Sequence, residues 1–543
     1  MKILIALTLL IMAMPAHAEW MIQRIVDGKG KVIEVESAKP TEIKISGDTL
    51  IKRHIHEQIA ETSVIKKSNR FYQELVVSDE YFEKNFSDLP QLKIRKVSIG
   101  WPGSEVRTIV NQGPTANRID LTIVGDGYTA EEKDKFFDDV ARMTDDMFKG
   151  QTFATYLPLF NVHAVFVPSE ESGLSDFVTK RTALGLYRNP KGSKRAIMPG
   201  NTSAIERAIA LSPDADYPIL IANDNYYGGL GGRYAISTRS VQTGTVVLRH
   251  ELGHNFGEVG EEYDGGQVYS GANSSRSSNV PWKNWLKNGK LEVYESKFLS
   301  GNYLWKNLKE GSFKVTFNFP GPQYLYDIDI SSVGWKTPQD VEVLLDGQVK
   351  ELEGVWTEDR SFFKFANPET LSAGVHTIEI REKIKDGDNV LAFANIYAHP
   401  ANLNKEKHFV GAFNTFYGPG QPSGFRPTYD SCLMRDMRSV DFCSVDKENM
   451  WRKFLGTVNL VDSYKVESTN NSDVLNLVTP PLSHLAVTIS RNTTMGWVVV
   501  HTSTGSEKIV LPGKGQYKLD AVFAHPEVTG GDGEIKESFN FSN

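Results

Sequence analysis

Apolar and polar positions along this chain fall into blocks with different periods. The first, Ile3–Met14, is a continuous apolar run behind Met1 and Lys2 and ahead of Ala16-His17-Ala18. A short basic start, an apolar centre and a small-x-small ending predict a secretory signal peptide over 1–18. The run is too short for a membrane-spanning helix, which needs roughly 20 residues. From Glu19 to Gly103, alternating runs such as Lys31–Glu36, Glu42–Ser46 and Leu92–Ser98 predict an N-terminal β domain over 19–103. Arg118–Gly127 changes character to a nearly unbroken apolar strand. Thr129 and Glu132 then stand at capping-box spacing and predict a helix running to Lys149. Strands at Asn161–Pro168 and Tyr217–Ala222, with helical Thr202–Leu211 between them and a helical stretch Thr238–Val259 after, indicate a layered α/β unit.

Period two returns in Lys314–Phe319, Val341–Leu345 and His376–Arg381, which predict a β-sandwich across 296–401. A Gly/Pro-dense loop, Gly411–Pro427, leads to a helix around Lys447–Val461. Polar Glu467–Ser472 reads as a linker and Leu485–Asn543 as a β module. The expected class is multidomain α+β: an α/β domain in two parts, 104–295 and 402–465, a β-sandwich insertion, and flanking β domains at 19–103 and 473–543. Composition agrees with a globular chain of several domains, since 543 residues carry 40% hydrophobic and 23% charged residues. With 60 Lys+Arg against 67 Asp+Glu, the net charge of −7 argues against a nucleic-acid partner. Only Cys432 and Cys443 are present, so a hydrophobic core has to hold the fold; in an oxidising compartment the pair can close one short loop.

The segment Val246-Val-Leu-Arg-His-Glu-Leu-Gly-His-Asn-Phe-Gly257 carries the chemistry. On a helix His250 and His254 project from one face and can share a metal ion, and Glu251 lies beside them where it can take a proton from a metal-activated water. Catalytic zinc usually has three protein ligands, so a third is needed. Glu258, Glu261, Glu262 and Asp264 follow closely; Gly257 and Gly260 can turn the chain so that Glu261 or Glu262 reaches the metal. His163 and His408 are more distant candidates. The glycine-rich Tyr227–Tyr234 lacks the Lys-Ser/Thr pair of a phosphate loop and reads as an extended segment along which a substrate backbone could lie.

Asp120-Leu-Thr-Ile-Val-Gly-Asp-Gly-Tyr128, His250–Tyr263, and Phe425-Arg-Pro with Ser431-Cys-Leu-Met434 together resemble the IgA-peptidase family of zinc metallopeptidases, the igalysin group of metzincins. The resemblance covers about Trp101–Leu460. It implies an exported endopeptidase with a metzincin-like zinc domain and one Zn2+ per chain. His250 and His254 would be ligands, Glu251 the general base, and the acidic pair before Tyr263 would hold the third ligand. Six residues after the second histidine, where the common metzincin pattern has its ligand, this chain has Gly260, so the choice between Glu261 and Glu262 stays open. Met434 matches the methionine turn. Asp436 stands where a tyrosine often follows that turn, leaving Tyr263, Tyr429 and Arg426 as candidates on the oxyanion side. The implied partner is a polypeptide, met in a secreted, periplasmic or cell-surface setting; which bond is cut does not follow from fold and motif. The rival reading is a surface protein binding glycan or protein through its β modules, with a non-catalytic metal site, suggested by Trp335 and Trp356.

Overall fold

The computed structural model describes residues 101–543 apart from 150–151, 189–194, 266–268, 302, 366–370 and 469–471, and in the first hundred residues the backbone of the strands at 18–27, 32–38, 64–67 and 70–78. The chain divides into two compact units, Met1–Ser104 with Ser203–Asp216, and Glu105–Thr202 with Tyr217–Asn543. In the first, β1 (Ala18–Asp27), β2 (Val32–Ala38), β3 (Val64–Lys67) and β4 (Arg70–Ser78) form an antiparallel sheet in the order β2-β1-β4-β3. Residues 1–17 of the expected signal peptide, and the runs expected as strands at 42–46 and 92–98, lie outside the described residues.

The second unit is built on a six-stranded sheet. Its strands are β5 (Glu105–Val110), β6 (Ile119–Asp126), β7 (Phe160–Phe166), β10 (Tyr217–Ala222), β11 (Gly229–Leu230) and β12 (Ala235–Thr238), in the order β11-β12-β10-β6-β7-β5. A short ribbon, β8 (Tyr187–Arg188) with β9 (Ile197–Met198), stands beside it. The four inner strands run parallel and both edges are antiparallel. Every residue of β6 and β7 is buried, which explains their largely apolar character; polar Asn161 and His163 of β7 meet Asp120 of β6 inside the sheet. Helix α1 (Lys133–Phe148) follows the capping box, where the Thr129 amide donates to Glu132 Oε2 at 3.1 Å, and buries Phe136, Phe137, Val140, Met143 and Met147. The helix expected at 202–211 is observed over Thr202–Ile209.

Helix α2 (Gly244–Gly257) starts six residues later than its sequence pattern suggested, because β12 runs to Thr238 and the hydroxyls of Ser240 and Thr243 are drawn into a turn. Helix α3 (Ser444–Phe454) packs beside it through Phe454, whose ring meets Phe256 at 5.3 Å and Phe160 at 5.1 Å.

Residues 297–400 form two facing sheets with their own core, in which Trp335 and Phe363 are fully buried and stacked at 5.6 Å. Trp356 packs on Phe363 at 4.6 Å, so both tryptophans that suggested a binding surface contribute to this core. Of the stretch expected as a linker, Glu467 and Ser468 belong to a strand, Ser463–Ser468, that pairs with Asp473–Val478, where alternate residues such as Leu475 and Leu477 are buried; 469–471 lie outside the described residues. The terminal sheets join the main core, with Trp451 of α3 against Phe523 at 4.7 Å. Helices make up 17% and strands 39%, so the α+β class holds. No helix among the described residues is long and apolar enough to cross a membrane.

Candidate metal centre

One turn apart on α2, His250 and His254 set their ring centroids 4.9 Å from each other. Each ring is oriented by a main-chain carbonyl: His250 Nδ1 lies 3.1 Å from Leu433 O and His254 Nδ1 lies 2.7 Å from Val259 O. These contacts commit each Nδ1 as a hydrogen-bond donor and turn each Nε2 toward Glu261, so that a metal displacing the Nε2 proton would find both nitrogens facing it.

Glu261 completes the cluster. Its Oε2 is 3.2 Å from His250 Nε2 and its Oε1 3.2 Å from His254 Nε2. The Tyr263 hydroxyl donates to Oε1 at 2.9 Å, and the Tyr263 ring stacks on His250. The turn that returns Glu261 begins at Glu258, which ends α2 in the left-handed region at φ 52° while its amide bonds to His254 O at 2.8 Å. The Gly260 amide then bonds to Ser270 O at 2.8 Å and the Glu262 amide to Met434 O at 3.1 Å. One ligand atom from each of His250, His254 and Glu261 lies within 4.8 Å of the others, a nitrogen–oxygen donor set suited to zinc.

Electrostatics knit the cluster together. Burial lowers the pKa of His250, but the carboxylates of Glu261 and Glu251 outweigh it and push the ring up to about 9. For His254, too, the bond to Glu261 outweighs burial, and the net shift is upward. Burial would raise Glu261, yet the two histidines hold its carboxyl well below the usual range. A cation bound here takes the place of protons the histidines would otherwise carry. Burial raises Glu251, opposed by the same two histidines.

The structure turns Glu262 away from the histidines, into a buried cluster with Cys432, Cys443 and Asp446. The αL turn at Glu258 decides between the two acids, because successive side chains of an extended segment point to opposite sides. Glu258 pairs with Lys453 and Asp264 with Arg435 at 2.8 Å. His163 is held inside the sheet by Asp120 at 3.0 Å and Thr108 at 3.1 Å, and neither it nor His408 joins the cluster. Arg426 is buried and bonds the carbonyls of Asn414 and Tyr429. Tyr429 donates to Asp327 at 2.6 Å, and Asp436 pairs with Arg438. The two cysteines, expected as a bonded pair, are free buried thiols.

Met434 is fully buried under α2. A Cβ placed on Gly253 would stand 2.7 Å from Met434 Sδ and 2.8 Å from Phe442, so glycine is what lets helix and turn approach.

A cleft of about 310 Å³ opens over the cluster, lined on one side by Gly229, Leu230 and Gly231 of the glycine-rich segment with His250, Glu251 and Glu261. The other wall is the sandwich, which contributes Asp329, Arg360, Phe362, Lys364 and Tyr397. Asp359 fixes that wall. It accepts from the Tyr227 amide at 2.6 Å, Ser240 Oγ at 2.6 Å and Thr243 Oγ1 at 2.5 Å, joining the sandwich to the glycine-rich segment and to the start of α2. Nothing local in the sequence marks Asp359, Arg360 or Lys364: Asp359 and Arg360 meet Tyr227, Ser240 and Thr243 across more than 100 residues, and Lys364 meets Asp327 and Asp329 of another strand.

Residues 108–297 match the model of the family described as IgA Peptidase M64. No curated protein matches the chain. Among solved structures it is similar to the β-D-glucuronidase of Dictyoglomus thermophilum, at 10% identity over 47% of this chain and 45% of that one, with a TM-score of 0.13. It is also similar to β-glucuronidases of an uncultured Clostridium sp. (10% identity, 42% and 34% covered, TM-score 0.12) and of Ruminococcus gnavus (8%, 42% and 35%, 0.11). The chain spans less than half the length of each, and TM-scores this low establish no shared fold. The matched stretch, residues 108–297, includes both histidines, Glu251 and Glu261, and this part of the chain is similar to the IgA peptidase M64 family.

Proposed function

We propose that this chain is an exported, zinc-dependent endopeptidase of metzincin type, in which His250, His254 and Glu261 hold the metal and Glu251 is the general base. The observation that carries the reading is the convergence of two Nε2 atoms and one carboxylate, with each Nδ1 already committed to a carbonyl. Zinc bound by these residues would supply Lewis acidity, lowering the pKa of a water toward about 7 and polarising the scissile carbonyl.

The chain's own groups do the rest. Glu251, raised by burial, accepts a proton from the attacking water and returns it to the leaving amine nitrogen. Leu433 O and Val259 O keep the imidazoles in one tautomer. Strand β11 borders the cleft; Gly229 is already paired with Arg195–Ala196, so an extended substrate would lie beyond that pairing, along Leu230 and Gly231, with Gly231 permitting close approach to Glu251. The sandwich wall, held by Asp359, limits what enters from the opposite side.

The test is a cleavage survey. Purified full-length protein is incubated with peptides drawn from a whole proteome, with and without a chelator, and the new termini are sequenced. Chelator-sensitive internal cleavage is expected; absence of any cleavage by metal-loaded protein would overturn the reading.

A further inference from the structure

Behind the histidine cluster lies a second convergence of ligands. Glu262, Cys432, Cys443 and Asp446 each place one ligand atom within 4.8 Å of the others, and all four residues are at most 1% exposed. They come from three segments: the turn after α2, the Met434 turn and the first residues of α3. Two of their carboxylate oxygens, Glu262 Oε2 and Asp446 Oδ1, are buried without any hydrogen bond, as is Asn273 Oδ1 beside them. Asn273 Nδ2 donates to the other Glu262 oxygen at 3.1 Å, and the Cys432 thiol donates to Asp446 Oδ2 at 3.1 Å. Two carboxyl groups sealed in one pocket with unmet oxygens are costly as a pair of anions unless a cation, or a proton held between them, offsets the charge.

We propose that these four side chains form a second metal site, closed and structural, for zinc or a metal of similar softness. Two thiolates select against magnesium and calcium, and four protein ligands leave no position for substrate or water. Two thiolates and two carboxylates around a divalent ion carry the same net charge as a four-cysteine zinc site. Arg435, whose guanidinium donates to Glu262 O at 3.4 Å, offsets part of it. The Cys443 amide donates to Cys432 Sγ at 3.3 Å, the outer contact that steadies a metal-bound sulfur. Joining the two sulfurs to each other would instead remove the thiol that now donates to Asp446 and leave both carboxylate oxygens unmet. Binding releases to solvent the protons of the two thiols and any proton held by the Glu262–Asp446 pair.

The site has a consequence for its neighbour. Glu262 adjoins Glu261, and Cys432 adjoins Leu433, whose carbonyl orients His250. A metal tying Glu262, Cys432, Cys443 and Asp446 together therefore fixes the floor on which the histidine cluster stands, although the proposal stands whether or not that cluster is catalytic.

Metal analysis and cobalt substitution of the full-length protein test it. Wild type is expected to hold two metals per chain, and the cobalt form to show thiolate-to-cobalt charge-transfer absorption in the near ultraviolet. Cys432→Ser/Cys443→Ser should lose that absorption and one metal; His254→Ala should lose the other metal and keep the absorption. Should the cysteine variant not fold, wild type and His254→Ala still decide. Cobalt-loaded wild type without the charge-transfer band, or peptide mapping that finds Cys432 bonded to Cys443, would overturn the proposal.

Discussion

Gly253→Ala probes the contact on which the metal centre rests. The added methyl would stand 2.7 Å from Met434 Sδ and 2.8 and 3.0 Å from two atoms of the Phe442 ring, all fully buried. Ordinary carbon contacts lie near about 3.5–4.0 Å, so helix and turn must part by roughly 1 Å. Overpacking of this kind costs about 1–3 kcal/mol, against a gain of about 1 kcal/mol for alanine over glycine inside a helix. The expected net loss is about 1 kcal/mol, read as a lower urea midpoint at unchanged slope. In a Met434→Ala background the sulfur is gone and the Phe442 ring has the vacated space to shift into, so the methyl is accommodated and the same change should stabilise by about 0.5–1 kcal/mol. The implied coupling between the two positions is therefore about 2 kcal/mol. Because the parting also lengthens the His250 Nδ1 to Leu433 O contact, zinc affinity of Gly253→Ala should fall about 10-fold or more in a chelator competition. An equal stability change in both backgrounds would refute the packing argument.

Other consequences are as direct. Gly231→Ala brings a methyl onto the Glu251 carboxylate, so kcat should fall about 100-fold with metal content unchanged, and a wild-type kcat would remove Gly231 from the site. Asp359→Ala leaves the Tyr227 amide and two hydroxyls without their acceptor and should cost on the order of 3 kcal/mol in urea unfolding, with Asp359→Asn losing less. Glu132 is raised by burial but more strongly lowered by Lys135, the Thr129 amide, Ser172 and Asn223, to about 2 from 4.5. A depressed carboxyl contributes stability above its unfolded value and loses it as pH falls through the folded one. The gap of about 1 kcal/mol between wild type and Glu132→Gln should therefore be full at pH 7 and close between pH 4.5 and about 2. A gap independent of pH would mean that the carboxylate is not what holds the start of α1.

Local chemistry is what the sequence made legible. His250, Glu251 and His254 lie on one helical turn, so their spacing alone placed them together, and β6 and β7 announced burial on both faces by their largely apolar runs. The third position was ambiguous because Glu261 and Glu262 are equal by composition; the backbone at Glu258, φ 52°, sends one to the histidines and the other behind them. Cys432 and Cys443 read as a bonded pair only while Glu262 and Asp446 were out of view. The cleft's far wall could not be foreseen, since Arg360 and Lys364 reach the site from a sandwich that begins about forty residues after α2 ends and is aligned by Asp359.

The most direct test is Glu251→Gln in the full-length protein, assayed for zinc content and for hydrolysis of a peptide that wild type cleaves. The amide keeps the shape of the side chain but cannot accept a proton, so zinc content should equal that of wild type while kcat falls by about 10²–10⁴. Cleavage by Glu251→Gln at the wild-type rate, with wild-type zinc content, would contradict the assignment of Glu251 as the base and with it the peptidase mechanism.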